Sequence, residues 1–198
     1  MEAVLEAVAD EVTGGLISGP VAVTTKGRKV RSLFERGQLT VRIARLDEAN
    51  AIASLAQAIF DGRDYFSQSK FKSADDIEDL MAQGKFLLAE KEDRIVGFAY
   101  LEPRLEATRL DLIAVSPAQQ RTGIGSQLLY AAERLSSSMH CLFIHVQVMN
   151  LHRETIKFCR RRGFVEFGIE ALDRHQAISP HCHIVKMCKQ LDMERLGF

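Results

Sequence analysis

The chain has 198 residues, the size of one ordinary domain with a short appended segment. Hydrophobic residues make up 46% of it and charged residues 26%, a balance typical of globular proteins that excludes a disordered, collagen-like or coiled-coil chain. The 26 basic and 26 acidic side chains cancel, so no whole-chain field draws the protein towards nucleic acid or an anionic membrane.

The cysteines and the N-terminal sequence predict a cytoplasmic protein without membrane association. Cys141, Cys159, Cys182 and Cys188 form no C-x-x-C pair, and a chain of this length does not depend on disulfides. Acidic residues stand where a signal peptide carries basic ones. No apolar run reaches the ~18 residues that a membrane span requires.

Residues 1–37 differ in pattern from the rest of the chain. Residues 2–13 can form a short helix, residues 21–25 have the pattern of a strand, and residues 26–36 are rich in Lys and Arg. Because this segment is too small to build its own core, we expect an arm that packs on the main domain or on a second copy in a homodimer. Nucleic-acid binding by the basic stretch is the alternative, which the scarcity of aromatic residues for stacking disfavours.

From Thr40 onward, hydrophobic periodicity predicts strands and helices in the order β-α-α-β-β-β-α-β-α-β-β. This order predicts a mixed sheet with helices on its faces. The elements are a strand at Val41 and Ile43, a helix after Asp47, a helix capped by Ser73, strands over 86–90, 95–101 and 109–115, a helix from Gly123, a strand over 141–148 with Leu142, Ile144, Val146 and Val148 on one face, a helix over 152–162 ending at Gly163, and strands over 164–172 and 181–188.

The stretch from Val115 to Ser126 has the pattern of a binding site: a strand leads into a glycine-containing loop, and the loop leads into a helix. Backbone N–H groups at a helix N-terminus lack helical acceptors, the helix dipole favours negative charge, and glycines admit a bulky anion close to the main chain. The loop lacks both the Gly-Lys-Ser/Thr of a Walker A loop and the G-x-G-x-x-G of a dinucleotide-binding fingerprint. The pattern predicts a pyrophosphate site, with a packing device as the alternative.

The same stretch has the pattern Val-x-Pro-x-x-Gln-x-x-Gly-x-Gly and resembles the central motif of the GNAT superfamily of acyl-CoA-dependent N-acetyltransferases. The family's glycine-containing strand is matched around Gly97, and its helix ending in Gly-Phe is matched by residues 156–164. The resemblance covers residues 40–190. It implies an α/β (α+β) three-layer domain over residues 38–198, with a mixed, mostly antiparallel sheet of six to seven strands, helices on both faces and a V-shaped splay between the central strands.

The resemblance also implies a co-substrate, acetyl-CoA, and an acceptor, a small-molecule or peptide primary amine that attacks the thioester directly. Main-chain groups of Ile113, Ala114 and Val115 would bind the pantetheine arm in the splay, and an amide near Val115 would polarise the thioester carbonyl. Backbone amides of the loop would bind the pyrophosphate, and the side chains of Gln120 and Arg121 would support this contact. The implied loop residues are Gln120, Arg121, Thr122, Gly123, Ile124, Gly125 and Ser126.

The chain departs from the family at two positions. The Asn that often opens the helix after the fifth strand aligns with His152, and Asn150 stands two residues earlier; either could bond the pantetheine, or both are loop residues. The family's frequent Tyr, which protonates the departing CoA thiolate, aligns with Cys159, which is either a short-reach acid or a small buried residue. The missing Tyr supports a rival function, a catalytically weak acyl-CoA-binding regulatory or interaction module.

A general base must take a proton from the acceptor ammonium. Strand alternation places Asp111 on the face of Ile113 and Val115, towards the thioester, and makes it the first candidate. Glu102 and Glu106 are more distant candidates. Each of the three is otherwise a solvated surface carboxylate.

Two further clusters have plainer interpretations. The sequence His181-Cys182-His183, with His175 upstream, is compatible with metal binding, but a zinc site needs two further converging ligands. We therefore expect no metal and interpret this stretch as a strand end near the acceptor cleft. The Arg160-Arg161-Arg162 run suits a solvated helix C-terminus, with adenosine-phosphate binding as the alternative.

Overall fold

The computed structural model describes residues 22–25, 28–36, 39–60, 71, 73–172 and 182–192, with the backbone alone for 22–25 and 28–36. From β3 onward its elements follow the predicted order. The bounds are β1 Ala22–Thr25, β2 Arg28–Arg36, β3 Leu39–Ile43, α1 Ala49–Phe60, α2 Ala74–Gln83, β4 Lys85–Lys91, β5 Arg94–Pro103, β6 Ala107–Val115, α3 Ile124–Ser138, β7 Phe143–Met149, α4 Arg153–Arg161, β8 Val165–Ala171 and β9 His183–Gln190.

The described strands form one sheet in the order β1-β2-β3-β4-β5-β6-β7-β9-β8. Neighbouring strands are antiparallel except β6 and β7, which are parallel. A parallel pair needs a crossover connection, and α3 supplies it. Residues from Leu39 onward contribute seven strands, which confirms the predicted mixed, mostly antiparallel sheet.

Two strands of the N-terminal arm extend this sheet. β2 pairs with β3 from Arg36–Leu39 back to Ser32–Arg42, and β1 pairs with β2. The strand predicted at residues 21–25 is present as β1, and the basic stretch forms β2. The helix predicted over residues 2–13 lies outside the described residues, and the domain boundary at residue 37 stays a prediction.

Helices cover both faces of the sheet, each over its own hydrophobic core. On one side, here called the α3 face, α3 and α4 bury aliphatic residues of β5, β6, β7 and β9, among them Leu110 and Ile113. On the other side, the α1 face, α1 and α2 pack on Phe86, Phe98 and Tyr100. No residue of β7, β8 or β9 belongs to this second core as described, so α1 and α2 cover only the β3–β6 half of their face.

Local sequence signals set the helix ends. The Ser73 hydroxyl accepts a hydrogen bond from the Asp76 N–H at 3.1 Å, and the Asp76 carboxylate accepts one from the Ser73 N–H at 3.0 Å, so the predicted cap of α2 is confirmed. Gly163 has φ of +88° directly after α4, the left-handed conformation that ends a helix at glycine.

Alternation along β7 sorts its side chains between the two faces. Ile144, Val146 and Val148 are buried in the core of the α3 face, so His145 and Gln147 lie on the α1 face. Leu142 precedes the strand, is 48% exposed and is not among the residues of this core, so the predicted stripe is buried only from Ile144 onward.

Candidate active site

A gap opens in the sheet between β6 and β7. Their parallel ladder ends at the pair Leu110–Val146, although β6 continues to Val115 and β7 to Met149. Beyond that pair, β6 remains bonded to β5 on its other side. Among the described strands, none pairs with the edge of Ile113–Val115 that faces β7, so the splay that the resemblance implies is present.

The predicted pyrophosphate loop follows the open end of this gap. Gly123 precedes α3 with φ of 88°, in the left-handed region that favours glycine. The first helical hydrogen bond runs from the Gln127 N–H to the Gly123 carbonyl at 3.1 Å. The N–H groups of residues 124–126 consequently have no helical acceptor and converge at the positive end of the helix dipole.

Gly97 on β5 allows α3 to lie close to the sheet. A Cβ there would stand 2.9 Å from the Ala114 carbonyl oxygen and 3.3 Å from Leu128 Cδ1. A side chain at this position would clash with the backbone of β6 and crowd the side chains of Leu128 and Ile124 on α3. The glycine of the 95–99 strand is thus required by packing under the loop.

Two side chains of the loop bond to main chain. Gln120 Nε2 donates to the Val115 carbonyl at 3.2 Å, and Thr122 Oγ1 donates to the Gln119 carbonyl at 2.6 Å. Gln120 therefore braces the loop against the end of β6. Arg121 is exposed and has φ of 60°.

A second cation reaches the start of α3 from the end of α4. Arg162 Nη2 donates to Ser126 Oγ at 2.5 Å, and its guanidinium lies 5.5 Å from the centroid of the Phe158 ring. Positive charge at a helix N-terminus is unfavourable alone and becomes favourable when an anion joins it. The predicted solvated helix end fits Arg160, which pairs with Glu166. It does not fit Arg162, whose guanidinium bonds Ser126.

The two candidates at the fifth-strand position lie in the corner between β7 and α4. Asn150 Oδ1 accepts from the His183 N–H at 3.1 Å, and the Asn150 N–H donates to the His183 carbonyl at 2.9 Å. Asn150 thereby joins the end of β7 to the start of β9. His152 is the N-cap of α4, with no side-chain capping bond.

Cys159 lies on the inner side of α4. Its side chain belongs to the core of the α3 face, and the residue is 1% exposed. Burial raises the pKa of the thiol to about 12.

Asp111 occupies a β-bulge, which corrects its predicted orientation. Tyr100 pairs with Leu112 but Leu101 pairs with Leu110, so Asp111 is the extra residue on β6. Its carboxylate contacts Arg109 Nε at 2.5 Å and Nη2 at 3.1 Å. The predicted shared face with Ile113 is wrong, because the bulge resets the alternation.

A row of side chains crosses the α1 face at the closed end of the gap. Glu102 pairs with Arg109, Arg109 with His145, and His145 with Cys188. Arg109 also bonds Glu102 at 2.6 Å. Sequence reasoning missed Arg109 and His145, although the apolar alternation around His145 indicates that it faces away from the neighbouring core.

Within the described residues, no group of three His, Cys, Asp or Glu side chains is arranged to hold a metal ion. His175 and His181 lie outside the described residues. None of the described helices has the length and apolar character that a membrane crossing needs.

A model of the acetyltransferase (GNAT) family matches residues 51–164. This range includes the gap, the loop and α4. The chain therefore belongs to the GNAT acetyltransferase family. A comparison with curated protein sequences finds no match.

Solved structures of GNAT acetyltransferases share this fold. The ribosomal-protein-S18-alanine N-acetyltransferase from Escherichia coli has a TM-score of 0.65 at 17% identity, over 78% of this chain and 95% of that chain. A GNAT family acetyltransferase from Elizabethkingia anophelis with acetyl-CoA bound has a TM-score of 0.61 at 17% identity, over 79% and 100%. A spermidine N-acetyltransferase chimera from Vibrio cholerae and hSSAT has a TM-score of 0.63 at 17% identity, over 82% and 100%.

Proposed function

We propose that the chain transfers an acetyl group from acetyl-CoA to a primary amine of a small molecule or peptide. The observation that carries this proposal is the gap between β6 and β7, which opens towards the N-terminus of α3. The unpaired strand edge suits the amide groups of a pantetheine arm, and the free N–H groups of residues 124–126 suit a pyrophosphate. Acetyl-CoA in one structural neighbour, and the amine acceptors named for two others, support the donor and the acceptor class.

In the proposed reaction the amine nitrogen attacks the thioester carbonyl carbon directly, without a covalent acyl-enzyme and without a metal. A main-chain N–H near Val115 stabilises the oxyanion of the tetrahedral intermediate. Collapse of the intermediate breaks the carbon–sulfur bond and releases the CoA thiolate. Asp111 and Cys159 are the base and acid candidates from the sequence, and Asn150 or His152 is the candidate for a pantetheine contact.

The rival function is acyl-CoA binding without useful turnover. A free-thiol release assay with acetyl-CoA across a panel of primary amines separates the two. Thiol release that depends on one amine supports the transferase, and binding of CoA without release for any amine supports the regulatory or interaction module.

The proposed pyrophosphate site is tested by Gly123→Asp, with Gly123→Asn as its control of equal shape. Both residues tolerate positive φ better than most, but only Asp adds negative charge at the loop. We expect CoA affinity, measured by calorimetry, to fall at least about tenfold further for Asp than for Asn, because about 1.4 kcal/mol of repulsion suffices. Equal affinity of the two variants contradicts this assignment.

We also propose that the protein is cytoplasmic. Its four cysteines are free thiols, three of them buried, which is the usual state in a reducing compartment.

A further inference from the structure

We propose that His145 is the general base that takes the proton from the acceptor ammonium, within the transfer reaction proposed above. The first reason is position. His145 is the register partner of Arg109, one pair before the β6–β7 ladder ends, which is about 3.3 Å along the strand from the closed end of the gap.

The second reason is direction. Because Ile144 and Val146 point into the core of the α3 face, the imidazole of His145 points to the α1 face. α1 and α2 do not cover this part of the face in the described structure. A ligand that enters from the α1 face therefore meets His145 at the point where the gap begins.

The third reason is availability. The described contacts of His145 are rings, Phe167 at 5.4 Å and Phe143 at 6.4 Å between centroids, and no hydrogen bond or ion pair to the imidazole occurs within the described residues. Both Glu102 and Asp111, in contrast, are held by Arg109. The guanidinium of Arg109 thus occupies oxygen atoms of both carboxylates, whereas the imidazole is engaged by rings alone within the described residues.

The ionisation state of His145 suits this role. Partial burial lowers its pKa below the ordinary value, so the ring is neutral at neutral pH and has a free lone pair. The groups that face it from neighbouring strands are the Arg109 guanidinium on β6 and the Cys188 thiol on β9. Farther along the same face stand Asp111 on β6, Glu102 on β5 and the Lys186–Glu170 ion pair.

A second polar group lies two residues further along β7. The Oε1 atom of Gln147 is buried and has no hydrogen-bond partner within the described residues. It faces the same side as His145, beside the open part of the gap. This oxygen can accept a hydrogen bond from the substrate nitrogen and hold it near the imidazole.

The proton balance closes with these groups. Neutral His145 takes one proton from the R–NH3⁺ acceptor, and the freed lone pair forms the new carbon–nitrogen bond. The carbon–sulfur bond then breaks, and the second nitrogen proton passes to the CoA thiolate. The products are the acetylated amine, CoA thiol and an imidazolium that returns its proton to solvent.

The test measures kcat/KM for the best amine of the panel against pH in the unmodified chain and in His145→Gln, with CoA affinity determined in parallel. We expect His145→Gln to lose at least about 100-fold, the lower end of general-base effects, with unchanged CoA affinity. In the unmodified chain we expect kcat/KM to decline in acid, with a midpoint below the ordinary His pKa of about 6.5. We expect His145→Gln to lose this decline, here called the acidic limb of the profile. With an aromatic amine as acceptor, which is neutral at the assay pH, kcat/KM of His145→Gln should fall much less.

Two matched variants make the result decisive. His140→Gln removes an exposed imidazole in the turn after α3 and should leave the profile unchanged. Asp111→Asn tests the competing base. Retention of the acidic limb in His145→Gln, or its loss in Asp111→Asn alone, overturns the proposal. If the unmodified chain turns over no amine, the proposed function itself fails.

Discussion

The Cys159 thiol packs among aliphatic side chains of the core on the α3 face, with 1% of the residue exposed. Its pKa of about 12 lies well above the ~8.5 of an ordinary thiol such as the departing CoA. Moving a proton from the former to the latter is uphill by roughly 5 kcal/mol. Energetics therefore favour the interpretation of Cys159 as a small buried residue, which leaves the nitrogen proton of the intermediate to neutralise the thiolate.

We accordingly expect Cys159→Ala to change kcat by less than about threefold, while the free energy of unfolding falls by about 1 kcal/mol. Cys141→Ala is the matched control, since Cys141 is equally buried in the same core. Turnover and chemical denaturation measure the two effects. A loss of about 100-fold in kcat with CoA affinity unchanged would show that Cys159 is the acid after all.

Among the elements, a buried ion cluster joins β3, β4 and the turn before α1. Arg42 on β3 is 1% exposed and bonds Glu48, in the turn before α1, at 2.7 and 2.8 Å. It also contacts Glu90 on β4. Burial alone would raise the pKa of Glu48, but the hydrogen bonds from Arg42 and the Arg45 N–H lower it overall. Burial alone would lower the pKa of Arg42, but its hydrogen bonds and ion pairs with Glu48 and Glu90 raise it overall, so Arg42 stays ionised.

The lowered pKa of Glu48 predicts a loss of stability in acid. The ionised carboxylate stabilises the fold fully above its unfolded pKa of about 4.3, and this contribution disappears as pH falls through the lower folded pKa. Glu48→Gln should cost about 3 kcal/mol at neutral pH and flatten the dependence of Tm on pH below about 4. Glu154→Gln removes one partner of an exposed pair with Lys157 and should leave Tm unchanged. A Glu48→Gln curve parallel to that of the unmodified chain contradicts the assignment.

At the scale of the whole molecule, β2 of the N-terminal arm covers the edge of β3. The pairs run from Arg36–Leu39 to Ser32–Arg42, so β3 is an inner strand. An exposed strand edge invites pairing with another chain. We therefore propose that the arm serves packing at the edge of β3, which β4 and β5 separate from β6 and the gap in the sheet order.

Deletion of residues 1–37 should lower Tm by several degrees, or change the sedimentation coefficient, and leave CoA affinity within about twofold. The reason is that the deletion bares the edge of β3 and removes the contact between β2 and α3, but leaves the loop at residues 120–126 in the chain. Loss of CoA binding by a truncated chain that keeps its circular dichroism spectrum would show that the arm shapes the site.

The order of strands and helices and the position of the loop that opens α3 could be predicted from the sequence alone. Period-two and helical spacing, the Ser73 cap and Gly163 are local signals, and the motif from Val115 to Ser126 specifies a helix N-terminus through its own residues. The direction of the Asp111 side chain and the set of groups that meet at the gap could not be predicted, because they depend on how the strands pair. A bulge depends on the register between two strands, and the row from Glu102 to Cys188 joins four strands that are distant along the chain. Such contacts follow from pairing and packing, which no single stretch of sequence encodes.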